Sequence, residues 1–98
     1  MMPEFLGGEE GLMSYIANCI EYPLIARSHN QQGTVYATFV VSNDGTLNDI
    51  HILKGVSEEI DSEAIRVINK MPHWIPGFQN GFPVAVQFNL PIKFLLIK

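Results

Sequence analysis

The chain has little positive charge, one cysteine and no long hydrophobic run, and each shortage closes off a class of function. Of 98 residues only 6 are Lys or Arg, against 10 Asp or Glu, for a formal net charge of −4. The cations, Arg27, Lys54, Arg66, Lys70, Lys93 and Lys98, are scattered, whereas a phosphate-binding surface needs them clustered; no nucleic-acid partner is expected. Cys19 stands alone, so no intramolecular disulfide is available, and its place beside Ile16 and Ile20 predicts a buried thiol. No apolar stretch approaches the roughly 20 residues of a membrane-spanning helix. Nor does a signal-peptide pattern follow Met1, since Pro3 and Glu4 come at once with no apolar stretch after them. A chain that starts this way reads as cytosolic or as a piece of a longer protein.

Catalytic and metal chemistry are equally poorly supplied. His29, His51 and His73 fall on three different predicted elements without ligand spacing, so no metal site is expected. Glu58, Glu59, Asp61 and Glu63 cluster where a helix starts, where acids serve the helix dipole rather than acid–base work. No serine lies in a nucleophile-elbow pattern, and Gly7-Gly8 with Gly11 has neither a preceding strand nor a following Lys-Ser/Thr to make a phosphate loop. The residues point to no enzyme and no cofactor.

What is present is a folding pattern. Hydrophobic residues make up 47% and charged ones 16%, the composition of a single folded domain. Residues 1–8 read as a lead-in ending in Gly7-Gly8. Leu12, Tyr15, Ile16, Cys19 and Ile20 recur at helical spacing. Tyr22-Pro23 breaks that helix, and Pro23 can open a second, short one that ends near His29-Asn30. A strand over 34–42 places Val35, Ala37, Phe39 and Val41 on one face. Asn43-Asp44-Gly45 then turns it into a return strand over 46–54 carrying Ile50 and Ile52. Ser57 or Asp61 can cap the next helix, whose stripe is Ile60, Ala64, Val67, Ile68 and Met71, and Pro72 ends it. Residues 71–77 cross in extended form, with Trp74 expected in the core, and Asn80-Gly81 is another turn signal.

The last strand is the longest pattern. Val84, Val86, Phe88, Leu90, Ile92, Phe94 and Leu96 alternate with a polar or small set that includes Gln87, Asn89, Pro91 and Lys93. The fold class is therefore α+β. A split β-α-β gives a three-stranded antiparallel or mixed sheet of order 2-1-3, with helices on one face and the last strand at an edge. Pro91 supports that placement, because a proline is tolerated at an edge but not in a central strand. An edge so long and apolar invites pairing with another chain unless it is managed.

In order, Tyr22-Pro23 with Ala26-Arg27, Gly33-Thr34-Val35, Phe39-Val40-Val41, Asp44-Gly45, Asp61 to Arg66, Met71-Pro72 with Trp74 and Pro76-Gly77, Gly81 to Val84, and Pro91-Ile92 with Phe94 form a pattern that covers essentially the whole chain. The sequence resembles the C-terminal domain of TonB-type energy transducers, in the form found in Bacteroidetes-like bacteria. Pro3-Glu4-Phe5 before Gly7-Gly8 is similar to that group as well. Gly55 and His73 depart from it, standing where relatives often carry a serine and a basic residue.

The resemblance implies a periplasmic domain that hangs from an inner-membrane anchor and a proline-rich linker, both absent from these residues. It implies that the domain binds the N-terminal box peptide of outer-membrane transporters by strand addition, and that it transmits proton-gradient-derived work from an inner-membrane motor complex for nutrient uptake. Carried over by position, the contact stretch is Val86, Gln87, Phe88, Asn89, Leu90, Pro91, Ile92 and Lys93. Gln87 and Asn89 would meet peptide side chains, and Tyr22, Pro23 and Arg27 would shape the rim. Two further readings stand beside this one: a regulatory domain at the tail of a membrane sensor or metallopeptidase, and a homodimer paired through its last strands.

Overall fold

The computed structural model describes residues 1–96. Its elements are α1 (Gly8–Cys19), α2 (Leu24–Ser28), β1 (Gly33–Val41), β2 (Leu47–Lys54), α3 (Glu58–Asn69), β3 (Gly77–Gln79), β4 (Phe82–Val84) and β5 (Val86–Phe94). The main sheet has the order β2-β1-β5, and both pairings are antiparallel. The expected 2-1-3 sheet is thus present, with β5 at an edge.

Period-two alternation places the core. Val35, Ala37, Phe39 and Val41 of β1 and Leu90, Ile92 and Phe94 of β5 are buried on the helix side. They meet Ile60, Ala64, Val67 and Ile68 of α3, whose heptad-like spacing puts them on one helical face. Tyr22 and Val56 seal the margins. In β2, Leu47 and Ile50 are three residues apart yet both half-buried. An extra residue between Asn48 and His51, where Asp49 has φ 52°, shifts the ladder and restores the face.

Local chemistry sets the ends of the elements. Ser57 caps α3 by accepting from the Ile60 N–H at 3.3 Å, and Asp61 accepts from the Val56 N–H at 2.9 Å. Glu63 does not serve the helix dipole. It lies nearly buried in the second turn, where Arg66 Nε donates to it at 2.6 Å and the Glu21 N–H at 2.6 Å. Arg66 also donates to the Cys19 carbonyl at 2.8 Å, which ties the end of α1 to α3. Cys19 is half-buried against the core. Burial, and then Cys19 beside it, push the Tyr15 phenol up to about 12, so its hydroxyl stays a donor to the Val67 carbonyl at 3.0 Å.

Gly45 is fixed by a close approach as well as by its φ of 86°. A Cβ there would lie 2.2 Å from the Trp74 carbonyl oxygen, and the Trp74 N–H donates to the Gly45 carbonyl at 2.8 Å. The hairpin turn is therefore also the seat of the chain crossing that carries Trp74.

The Asn80-Gly81 signal turns out to join two short strands, β3 and β4, because both residues adopt positive φ (52° and 81°). The alternation from Val84 onward is interrupted at Ala85, which separates β4 from β5. The lead-in is part of the structure. Glu4 exchanges two backbone hydrogen bonds with Ile75, and Met1 exchanges two with Phe78. Pro3 and Phe5 are buried, and Phe5 sets its ring edge-on to Trp74 with centroids 5.6 Å apart.

Candidate functional site

The free edge of β5 is the longest stretch of unpaired main chain in the sheet, and Pro91 reveals which of its groups face outward. Pro91 lies opposite Tyr36 in the β1–β5 ladder. Having no N–H, it can occupy only a non-hydrogen-bonded pair, and such pairs alternate with hydrogen-bonded ones along an antiparallel ladder. Val86, Phe88, Leu90, Ile92 and Phe94 therefore turn their main-chain groups to β1. Two contacts agree with this: the Phe88 carbonyl lies 3.3 Å from Thr38 Oγ1 on β1, and the Leu96 N–H donates to Gln32 Oε1 at 3.0 Å. The odd positions project to the open edge. Gln87, Asn89 and Lys93 offer both N–H and C=O there, and Pro91 offers C=O alone.

Side chains divide the same way. Gln87, Asn89, Pro91 and Lys93 are exposed on the face away from the helices, while Leu90 and Ile92 are buried. Gln87 and Asn89 are not free. Both are bonded to Thr38, whose hydroxyl donates to Asn89 Oδ1 at 2.8 Å and accepts from Gln87 Nε2 at 3.0 Å. This pins a fully buried threonine on the otherwise open side of the sheet and fixes the two polar side chains beside the edge.

The residues expected at the rim cluster apart from the middle of β5. Tyr22 donates its hydroxyl to the Gln31 carbonyl, lays its ring edge-on to Phe94 with centroids 5.8 Å apart, and carries Arg27 over its ring at 5.8 Å. Pro23, with φ −59°, opens α2. Tyr22 and Pro23 line a shallow cleft with Glu63 and Arg66 on α3. They thus stand at the C-terminal end of β5 and brace α2, away from Gln87 and Asn89.

Sequence reasoning missed the element that flanks the middle of the edge. On the helix side of Phe88 to Pro91 lies an open groove of about 440 Å³. Its walls are the lead-in residues Pro3, Glu4 and Phe5, the first turns of α1 with Glu9, Leu12 and Met13, and Trp74. Trp74 belongs to the wall, with its ring centroid 5.0 Å from that of Phe88, 5.3 Å from Phe39 and 5.6 Å from Phe5. Only the burial of alternate residues 3 and 5 signalled this wall, and that pattern is too short to separate from a tail. Among the described residues no group of three or more His, Cys, Asp or Glu could hold a metal, and no helix is long and apolar enough to cross a membrane.

Known proteins share this arrangement. The structure superimposes on the Helicobacter pylori TonB C-terminal domain (residues 179–285) with a TM-score of 0.68 and 23% identity, covering 88% of this chain and 78% of that one. It matches the Pseudomonas aeruginosa TonB C-terminal domain with a TM-score of 0.65 and 29% identity, covering 81% and 80%. No curated protein sequence matches the chain. The sequence pattern of the Gram-negative bacterial TonB protein C-terminal family spans residues 19–96. With order, fold and sequence pattern in agreement, the chain belongs to the TonB C-terminal domain family.

Proposed function

We propose that this chain is the transporter-binding domain of an energy transducer. In this reading it takes the N-terminal box peptide of an outer-membrane transporter as an added strand on β5 and passes on work drawn from the inner-membrane proton gradient. Members of the family are periplasmic protein-interaction domains of Gram-negative bacteria. The observation that carries the reading is the free β5 edge, with outward main-chain groups at Gln87, Asn89 and Lys93 and a gap in the donors at Pro91. Strand addition uses these groups, and main-chain bonds give affinity whatever the partner's side chains are.

The domain is the terminal reader of a longer machine. In this reading an inner-membrane anchor and a proline-rich linker join it to the motor complex. The contact stretch is Val86 to Lys93. Tyr22 acts on it indirectly, by packing on Phe94 at the end of the strand, while Arg27 lies over the Tyr22 ring and Pro23 opens α2.

The test is a titration of the isotope-labelled chain with synthetic N-terminal peptides from outer-membrane transporters of the same genome. The backbone amide signals of Gln87, Asn89 and Lys93 should move most, and those of Phe88, Leu90 and Ile92, committed to β1, should move less. A titration that leaves all of them in place refutes the reading.

A further inference from the structure

A strand edge holds its partner by groups that every residue possesses, so the edge alone selects nothing. The groove on its helix side can. We propose that this groove reads the side chains of the added strand, accepting one bulky apolar side chain together with a lysine or arginine that reaches Glu4 and Glu9. The inference rests on strand addition at β5 and specifies what the added strand must carry.

The geometry follows from strand spacing. An added strand lies about 4.8 Å from β5, and its side chains point alternately to the two faces of the sheet. Those on the helix side pass over Phe88 and Leu90 into the space bounded by Phe5, Leu12, Met13 and Trp74. At about 440 Å³ this space falls in the lower part of the roughly 300–1,000 Å³ range of ligand sites. It suits one large side chain rather than a small molecule held on all sides. Its inner wall is apolar and aromatic, with the Trp74 ring packed against Phe5 and Phe88.

Charge sets the second half of the requirement. Glu4 and Glu9 are the only ionisable residues in the lining, and no Lys, Arg or His accompanies them. Both are exposed, and neither takes part in an ion pair among the described residues, where Arg66 holds the two that occur. Glu10 adds a further carboxylate just outside. A cation two residues along the added strand from the apolar anchor lies on the same face and arrives at this rim.

The experiment uses the labelled chain and a set of synthetic extended peptides in which a Leu and an Arg stand two residues apart. Companion peptides replace the Leu by Ala, replace the Arg by Glu, or move the Arg by one position so that it faces the other side. Readouts are the Asn89 and Lys93 amides for the edge, and the Trp74 indole N–H and Met13 methyl for the groove. The parent peptide should bind about ten-fold tighter than the Leu→Ala and Arg→Glu peptides, the scale expected for one buried side chain. The Arg preference should shrink in high salt and vanish in a Glu4→Gln/Glu9→Gln chain. Met13→Arg, at a half-exposed position, should weaken the parent peptide while circular dichroism confirms the fold. If all peptides move the edge amides equally and the Trp74 indole stays put, the groove proposal is overturned while the edge reading stands. If no peptide moves the edge amides, both fall.

Discussion

Replacing Asn89 by proline tests the outward-facing main chain directly, because it removes one N–H and adds no charge. Asn89 pairs with Thr38 at a non-hydrogen-bonded position of the ladder, so its N–H contributes nothing to β1. A docked strand would lose the donor for one of its carbonyls, and an unsatisfied group of this kind costs about 1–3 kcal/mol, or about 5- to 150-fold in affinity. The side chain must be accounted for separately. Its Oδ1 accepts from Thr38 at 2.8 Å, a bond with a net contribution of about 0.5–1.5 kcal/mol to stability. Asn89→Ala isolates that part, since it keeps the N–H. The neighbouring change Leu90→Pro is the opposite case. It deletes an N–H committed to β1 and a buried side chain, and should cost about 3 kcal/mol or more. Urea unfolding should therefore rank Asn89→Pro close to Asn89→Ala and far above Leu90→Pro, while peptide titration should single out Asn89→Pro as the weak binder. If Asn89→Pro binds transporter peptide as tightly as Asn89→Ala, the outward assignment of the odd positions is wrong.

Gly45→Ala should lower stability by about 1–2 kcal/mol from its left-handed backbone alone, with a further loss from the collision with the Trp74 carbonyl, measured by urea unfolding. Removing residues 1–7 should destabilise the chain and red-shift the fluorescence of Trp74, the single tryptophan, because Phe5 leaves its ring; an unshifted spectrum would show that the lead-in is not packed there in solution. Burial tends to raise the Glu63 carboxyl, but the hydrogen bonds from Arg66 and the Glu21 N–H outweigh it and hold the group below the usual range. A depressed folded value stabilises the chain above the unfolded carboxylate value of about 4.3 and is lost as pH falls through the folded one. Melting temperature should therefore drop in acid, and the drop should be shallower in Glu63→Gln.

The main sheet was legible because its signals are periodic and local. Even positions from Val86 to Phe94, odd positions from Val35 to Val41, and an Asp44-Gly45 turn leave few alternatives for strand order. Pro91 was informative twice, first as an edge marker and then, with the ladder known, as the reference for which groups face out. The rest depended on contacts remote in sequence. Nothing near Phe5 announces Trp74, sixty-nine positions away, and a two-step alternation at Pro3 and Phe5 is indistinguishable from a tail. Glu63 reads as one of the helix-start acids because its neighbours are acidic. Its real partners, Arg66 and the backbone at Glu21, become visible only when α1 and α3 pack. Gln87 and Asn89 read as free polar residues because a buried Thr38 on the same face is not implied by alternation.

The proline in β5 has a consequence for alignment. A uniform edge repeats every two residues, so a strand laid on it can slide by one repeat and recover nearly all its bonds. Pro91 breaks that translational symmetry. A strand displaced by one repeat brings a different carbonyl against the ring and loses a different bond, and its anchor side chain moves off the groove beside Phe88 and Leu90. The edge then works as a ruler with one mark on it, and a partner's position along β5 becomes a defined quantity rather than an average over slipped states.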